Sequence, residues 1–206
     1  MIQGLRASIG TPFRARARLG GAPLAWALCL LLCALASTAW GQTSALGRNP
    51  FASDDQVKAA YLYKFPHYIE WPPAAFPAAD SPYVIGVAGS EGVFRELSGI
   101  AAGRTINNRP VAIRRLQALD DLAGVHIVYV GGSKAQQAQW AGEAGKRPIL
   151  VVTDTEGTAP PGSMVNFVLA EARVRFEVFL GPAEAAGIRI NSRMLSVASS
   201  VIKGSP

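Results

Sequence analysis

Two glycine-containing segments of this sequence are candidates for binding a phosphate group. Gly86 to Gly92 reads G-V-A-G-S-E-G after an apolar run, and glycines between a strand and a helix let a phosphate approach the helix N-terminus. Its spacing is G-x-x-G-x-x-G, however, and the next predicted strand ends in Arg114 and Arg115, where a dinucleotide site has an acidic residue. Gly131 to Lys134 reads G-G-S-K and lacks the upstream glycine of a phosphate loop. Ordinary strand-to-helix turns explain both segments better, with Ser133 as a helix N-cap.

The side chains that most often perform catalysis are few and scattered. The two histidines, His67 and His126, have no histidine or cysteine neighbour at metal-ligand spacing. His126 lies in an apolar run, which indicates a buried imidazole satisfied by hydrogen bonds. Ser133 is not followed by the glycine that completes a G-x-S-x-G nucleophile elbow. We therefore predict a protein with no catalytic residue, no metal ligand and no cofactor.

The N-terminus has the three parts of a secretory signal peptide. Arg14 to Arg18 is positively charged, and Leu24 to Ala36 is an apolar core of 13 residues. Ser37-Thr38-Ala39 or Ala39-Trp40-Gly41 then offers small residues at the −3 and −1 positions of a cleavage site. An uncleaved anchor is the alternative, although 13 residues are fewer than the roughly 20 that span a bilayer. These features predict a periplasmic location and three segments: a cleaved signal peptide over 1–41, a flexible leader over 42–54 and a domain over 55–203.

Removal of the predicted signal changes the charge and the chemistry of the chain. The formal charge is +6, but four of the 20 basic residues precede residue 42, which leaves 16 basic against 14 acidic side chains. A balance so near neutrality excludes a typical nucleic-acid-binding protein. Both cysteines, Cys29 and Cys33, lie in the signal, so we expect neither disulfides nor thiol chemistry in the exported protein.

Three apolar runs predict the strands of a parallel sheet. They are Tyr83 to Ala88, Val125 to Val130 and Pro148 to Thr153, and helical patterns follow the first two over Glu91 to Ala101 and Lys134 to Ala144. Repetition of strand, glycine turn and helix predicts an α/β fold with a Rossmann-like, mostly parallel sheet flanked by helices.

Further elements are predicted at the two ends of the domain. Val57 to Ile69 has helical periodicity, which Pro66 should interrupt near Phe65. Met164 to Leu169 and Arg173 to Leu180 predict an antiparallel hairpin attached to the sheet. Apolar residues at helical spacing predict a terminal amphipathic helix over Ser192 to Ile202.

Aromatic residues are concentrated in the first element and arginines near the last two. Core packing explains most of the aromatic residues, and any that remain exposed predict a partner-binding patch. The five aromatic residues fall within eleven positions: Tyr61, Tyr63, Phe65, Tyr68 and Trp71. The arginines either converge to hold an anion or lie separately in solvent. They are Arg173, Arg175, Arg189 and Arg193.

Four segments carry a resemblance to a known family. They are V-K-A-A-Y-L-Y-K-F-P-H-Y-I-E-W-P from Val57, V-H-I-V-Y-V-G-G-S from Val125, V-R-F-E-V-F from Val174 and A-G-I-R-I-N-S-R-M-L from Ala186. In combination they resemble the YfiR family of exported bacterial proteins, over about residues 55 to 202. The resemblance implies a periplasmic Rossmann-like protein without catalytic activity. It also implies that the protein sequesters the periplasmic sensing portion of a membrane diguanylate cyclase, lowers cyclic di-GMP synthesis and biofilm formation, and can form homodimers.

The sequence departs from that family in two respects. A redox-sensitive branch of the family uses cysteines in the mature domain, and their absence here excludes disulfide control. Pro66 stands where the family usually has a helix-compatible residue, which puts the shape of the first helix in question. We predict that contacts with a cyclase sensor come from the first and last elements of the domain: Tyr63, Phe65, Trp71, Arg189 and Arg193.

A small-molecule-binding protein that feeds a histidine kinase or another receptor is the alternative function. Ligands of α/β proteins usually bind at the carboxyl ends of the strands, here near Ser90, Ser133 and Asp154. Arg173 and Arg175 complete the set of predicted ligand contacts because they could hold an anion.

Overall fold

The computed structural model describes residues 52–204 and 206. The predicted signal peptide, 1–41, lies outside the described residues, and so does the predicted leader as far as residue 51. Within 52–204, the helices are too short or too polar to cross a bilayer.

The described part of the chain contains ten strands and five α-helices. The strands are β1 (Ile69–Glu70), β2 (Tyr83–Ala88), β3 (Thr105–Ile106), β4 (Arg109–Arg115), β5 (Ile127–Val130), β6 (Leu150–Thr153), β7 (Val165–Ala170), β8 (Arg173–Phe179), β9 (Arg189–Ile190) and β10 (Ser200–Ile202). The helices are α1 (Asp54–Lys64), α2 (Glu91–Ala101), α3 (Lys134–Ala144), α4 (Leu180–Ala185) and α5 (Ser192–Leu195). Short 3-10 helices occur at Phe65–His67, Pro73–Ala75 and Leu119–Leu122.

Eight of these strands form one sheet, in the order β10-β8-β7-β6-β5-β2-β4-β3. Strands β4, β2, β5, β6 and β7 are parallel, whereas β8 is antiparallel to β7 and β3 is antiparallel to β4. The predicted fold is therefore confirmed: a mostly parallel sheet flanked by helices, with an antiparallel hairpin. The remaining strands, β1 and β9, were not predicted and pair with each other through Ile69 and Ile190 and through Glu70 and Arg189.

The centre of the sheet is covered on both faces. Every residue of β5 and β6 is buried, which explains their uninterrupted apolar sequences. The chain crosses the sheet in one direction from β2 to β4 and in the other from β5 to β6. Right-handed crossovers consequently place α2 and α3 on opposite faces. Helix α1 packs beside α2, where Gly92 leaves room for the Asp55 side chain.

The first helix ends where its sequence predicts, near Phe65. Ser53 is the N-cap of α1, and it forms a capping box with Gln56. The helix ends at Lys64, and Pro66 lies in the 3-10 turn that follows. Proline is tolerated there because it occupies an early position of the new turn, where its missing N–H is not needed.

The predicted terminal helix over Ser192 to Ile202 is wrong. Helix α5 ends at Leu195, and the chain continues into β10, which pairs in parallel with β8. Serine and β-branched residues have weak helix propensity, and the edge of β8 offers backbone hydrogen bonds instead. The amide and the hydroxyl of Ser199 both donate to the Phe176 carbonyl, at 2.8 Å each, which fixes this segment against β8.

The outer half of the β7–β8 hairpin extends past the rest of the sheet. Strand β7 pairs with β6 only at Val165 and Asn166, and β10 pairs with β8 only from Glu177 onward. We call residues 167–176 the hairpin arm. Its turn consists of Glu171 and Ala172, with φ of 52° and 56°, in the left-handed region that favours asparagine and glycine.

Candidate partner-binding surface

Two residues predicted to contact a ligand, Ser90 and Ser133, cap the helices that follow β2 and β5. The Ser90 hydroxyl caps α2 by accepting the Val93 amide at 3.3 Å, and the Ser133 hydroxyl caps α3 by accepting the Gln136 amide at 3.3 Å. Between the two caps the backbone loops touch, since a Cβ added to Gly89 would lie 2.5 Å from the Gly131 carbonyl oxygen. The structure thus places both predicted serines at helix N-termini that pack closely together.

Asp154, the third residue predicted at this crevice, holds α1 on the sheet. Its Oδ2 accepts hydrogen bonds from Lys58 Nζ at 2.9 Å and from the Tyr129 hydroxyl at 2.6 Å. Burial raises the pKa of Tyr129, and the negative charge of Asp154 raises it further, so the hydroxyl stays protonated and remains the donor. A cavity of about 330 Å³ lies against this cluster, lined also by Phe167 and Leu169 of the hairpin arm.

Two of the clustered aromatic residues belong largely to the core. Phe65 is 2% exposed, and its ring centroid lies 5.5 Å from that of Phe176 and 6.1 Å from that of Phe167. Tyr61 is half-buried against the same two rings, at 5.2 and 5.9 Å. Phe65 was predicted to contact a partner; in this structure it is buried, and its ring lies at the base of the groove between α1 and the C-terminal segment.

Tyr63 and Trp71 are each partly exposed, and they contact different neighbours. The Arg104 guanidinium lies over the Tyr63 ring, 5.8 Å from its centroid. The Trp71 indole N–H donates to the His126 carbonyl at 3.2 Å, and the ring packs against Tyr83. Both predicted partner residues therefore have structural contacts that fix their orientation.

His126 is buried, as its sequence predicts, and both ring nitrogens bond to the backbone. Nδ1 accepts the Val84 amide at 3.2 Å, so Nε2 carries the proton and donates to the Ala75 carbonyl at 3.1 Å. The ring also stacks on Phe76, with 4.3 Å between centroids. Burial lowers the pKa of His126, and the nearby positive charge of Arg109 lowers it further, against the opposing hydrogen bond to Ala75. The imidazole is thus held neutral.

Arginines on the β4 side of the sheet are engaged by the protein itself. Arg109 donates to the carbonyls of Ala78 and Ser81 at 3.0 and 2.9 Å, and it lies 4.2 Å from the Phe76 ring centroid. Arg114 donates to the carbonyls of Asp121 and Ala123 at 3.0 and 2.8 Å. Arg115 forms an ion pair with Glu91 at 2.8 Å.

The cations on the hairpin side have no such partners. Lys64, Arg173, Arg175 and Arg193 are all exposed, and none forms an ion pair or a side-chain hydrogen bond with residues 52–204. We call these four residues the basic surface. Arg189, by contrast, lies in β9 and pairs with Glu70 at 3.5 Å. The structure brings three of the four predicted arginines to one region, and Lys64 was missed.

A groove of about 630 Å³ runs between α1 and the C-terminal segment beside the basic surface. Lys64, Arg175 and Arg193 lie along it, and its apolar lining includes Tyr61, Tyr68, Phe65, Phe176, Met194 and Val197. Val197 is 60% exposed, and Leu169 on the hairpin arm is 62% exposed. Aromatic and apolar area bordered by unpaired arginine is typical of protein interfaces.

One part of this groove could be predicted from the sequence. Tyr61, Lys64 and Tyr68 are spaced by three and four residues, which puts them on one side of the first element. The hydrogen-bond partners of Asp154 could not be predicted from the sequence, because Lys58 and Tyr129 are distant from it along the chain. No group of three histidine, cysteine or acidic side chains within the described residues is arranged to bind a metal ion.

Comparison with known proteins identifies the family of this domain. A family model described as YfiR/HmsC-like matches residues 55–199, which extend from α1 to the residue before β10. No curated protein sequence matches the chain. The match covers well over half of the sequence and confirms the resemblance carried by the four motifs. The chain belongs to the YfiR/HmsC-like family.

Proposed function

We propose that this domain is a periplasmic regulator that binds the sensor domain of a membrane diguanylate cyclase and represses cyclic di-GMP synthesis. Membership of the YfiR/HmsC-like family over residues 55–199 is the observation that carries the proposal. The unpaired basic surface supports it, because four exposed cations beside an apolar groove suit the binding of another protein.

The physical mechanism is thermodynamic linkage. A cyclase sensor exchanges between conformations that allow and prevent cyclic di-GMP synthesis. A protein that binds the inactive conformation more tightly shifts the population by the ratio of its two affinities. No turnover by the regulator is needed, so we propose that the domain acts by binding alone.

The groove and the basic surface are the proposed contact region. Arg193 and Arg175 supply charge along the groove, and Tyr68 and Val197 supply apolar area. Tyr63 and Trp71 extend the proposed contact on the exposed parts of their rings. Arg189 is 84% exposed at its side chain despite its ion pair with Glu70, so a partner carboxylate can compete for it.

The test is a reconstituted cyclase. The full-length cyclase encoded nearest to this gene is placed in nanodiscs, and cyclic di-GMP formation is measured with and without the exported domain. We expect synthesis to fall in proportion to occupancy of the sensor and to recover when the domain is diluted. Unchanged synthesis at saturating domain, with each of the cyclases encoded near the gene, would contradict the proposal.

The cavity beside Asp154 supports a second candidate function, the binding of a small molecule that is passed to a receptor. It is of suitable size at about 330 Å³, and it combines the Lys58–Asp154 pair with apolar walls. A thermal-shift screen of small metabolites tests this, because a ligand at 100 times its Kd adds about 2.7 kcal/mol to stability. No shift with any compound would leave the cyclase partner as the better proposal.

A further inference from the structure

The outer edge of β8 is open along the hairpin arm. The Phe179 amide donates to the Met164 carbonyl at 2.9 Å, so the backbone groups of Phe179 face β7. In an antiparallel pair, the N–H and C=O groups of successive residues point alternately toward and away from the partner strand. The N–H and C=O groups of Val174 and Phe176 therefore point away from β7. The Phe176 carbonyl accepts the Ser199 amide, but residues 52–204 supply no backbone partner to Val174 on that side.

The side chains along this edge alternate in character. Arg173 and Arg175 are exposed, and Val174 between them is buried. A cavity of about 620 Å³ follows the edge and is lined by both arginines, Val57 and Tyr61. The edge thus combines unpaired backbone groups, two cations at a spacing of two residues, and an apolar wall.

We propose that the open edge of β8 binds an extended partner segment, in which acidic and apolar residues alternate, as an added strand. The inference rests on the proposed function, since the segment would belong to the cyclase sensor domain. Residues directly opposite each other on neighbouring strands are about 5 Å apart, and side chains alternate between faces with a period of two. Two carboxylates at positions i and i+2 of the segment therefore lie opposite Arg173 and Arg175, and the residue between them lies opposite Val174.

Charge selects this occupant over others. The cavities along this edge are lined by more basic than acidic side chains. Lys64 and Arg193 add to the positive charge of the two arginines, and the acidic residues that line the same cavities are Asp54 and Glu171. A second copy of this chain paired through the same edge would bring Arg173 and Arg175 opposite arginines, which is unfavourable. Basic segments are excluded for the same reason.

Synthetic peptides separate the contributions of charge and backbone. The probes are an acetylated and amidated (Glu-Val)4 peptide, its (Gln-Val)4 counterpart, and a (Glu-Val)4 peptide N-methylated at alternate residues. Binding to the exported domain is measured by fluorescence anisotropy in low salt. We expect (Glu-Val)4 to bind, and we expect each of the other two to bind at least about tenfold more weakly, because one lacks the carboxylates and the other lacks donors for the edge.

Variants of the domain locate the site. The double substitution Arg173→Gln and Arg175→Gln is expected to reduce (Glu-Val)4 binding to the level of (Gln-Val)4. Its matched control is Arg95→Gln with Arg147→Gln, because Arg95 is exposed and Arg147 is half-buried, and both already have carboxylate neighbours. The control is expected to bind the peptide like the wild-type domain, and thermal unfolding confirms that each variant is folded.

The outcomes distinguish this inference from the proposed function. Equal binding of the N-methylated peptide, or loss of binding in the control variant, would overturn the added strand. Absence of (Glu-Val)4 binding while the intact sensor domain binds would also overturn it and leave the proposed function standing. Peptide binding without binding of any sensor domain would support the edge and contradict the proposed function.

Discussion

Arginine serves two different purposes on the two sides of the sheet. On the β4 side, Arg109 and Arg114 each donate to two loop carbonyls, and Arg115 pairs with Glu91. On the hairpin side, Arg173, Arg175 and Arg193 are exposed without a partner in residues 52–204. The first group fastens loops to the fold, and the second group leaves its charge available to another molecule.

The difference has an energetic meaning. Neighbouring cations repel one another, and an arginine without a partner contributes little to the free energy of unfolding that would offset this repulsion. Natural proteins commonly retain such unfavourable arrangements where function requires them. The contrast therefore favours the hairpin side as the place where this domain meets a partner.

The largest expected effect concerns Asp154, a charged residue that is engaged like those on the β4 side. Asp154→Ala removes the acceptor of Lys58 and Tyr129, and leaving such groups unpaired costs about 3 kcal/mol. Urea denaturation measures the free energy of unfolding. Glu156→Ala is the matched control, since Glu156 is exposed at the same loop, and it should change stability by less than about 0.5 kcal/mol. Equal effects of the two substitutions would show that Asp154 does not fasten α1.

A pair of arginine substitutions tests the comparison directly. Arg109→Met removes two charge-assisted hydrogen bonds to loop carbonyls and should lower the free energy of unfolding by about 2 kcal/mol. Arg175→Met should change it by less than about 0.5 kcal/mol, because no ion pair or side-chain hydrogen bond within the described residues is lost. The same denaturation assay compares them. Similar losses in both variants would remove the distinction between the two sides.

The pH dependence of stability tests the packing on the β4 side. The pKa of His126 is held below its ordinary value of 6.5, so the unfolded chain binds a proton that the folded chain resists. The free energy of unfolding should then fall as pH decreases below 6.5, by up to about 1.4 kcal/mol for each pH unit. This contribution to the slope should be absent in His126→Asn, measured by urea denaturation between pH 5 and 8. A slope in the variant as steep as that of the wild type would assign the effect to other groups.

The smallest expected effect has the opposite sign for stability and for binding. Arg193→Gln relieves repulsion within the basic surface and should raise the free energy of unfolding by about 0.3 kcal/mol, an effect that salt screens. The same substitution should weaken partner binding. Differential scanning calorimetry at low and high salt detects the stabilisation. A loss of stability in Arg193→Gln would mean that this arginine is engaged after all.

Local patterns in the sequence predicted the buried central strands of the sheet, the antiparallel hairpin and the helices α1, α2 and α3. Buried strands such as β5 and β6 have continuous apolar sequences, and the position of Pro66 indicates where α1 ends. The segment from Ser196 to Ile202 was misassigned because its apolar spacing fits a helix, whereas its actual partner, β8, lies about twenty residues away in sequence. Pairings of that kind depend on the three-dimensional neighbourhood and leave no local pattern.

The same limit applied to the candidate site. The arginines near the hairpin were identified by composition, but nothing in the sequence separates Arg175, which is unpaired, from Arg114, which bonds to the loop before β5. Phe65 was predicted as a partner contact, and the structure places it in the core. The sequence could not show this burial, because aromatic residues at helical spacing occur in cores and in interfaces alike. Only the contacts of each side chain divide the two groups.

The most direct test is the affinity of this domain for the sensor domain of the proposed cyclase partner, measured by titration calorimetry. The variants are the wild type, the charge reversal Arg175→Glu with Arg193→Glu, and the control reversal Arg95→Glu with Arg147→Glu. We predict that the first reversal weakens binding about thirtyfold or more, whereas the control changes it by less than about threefold. Equal affinities of the wild type and the Arg175→Glu, Arg193→Glu variant would contradict the claim that the unpaired basic surface binds the partner.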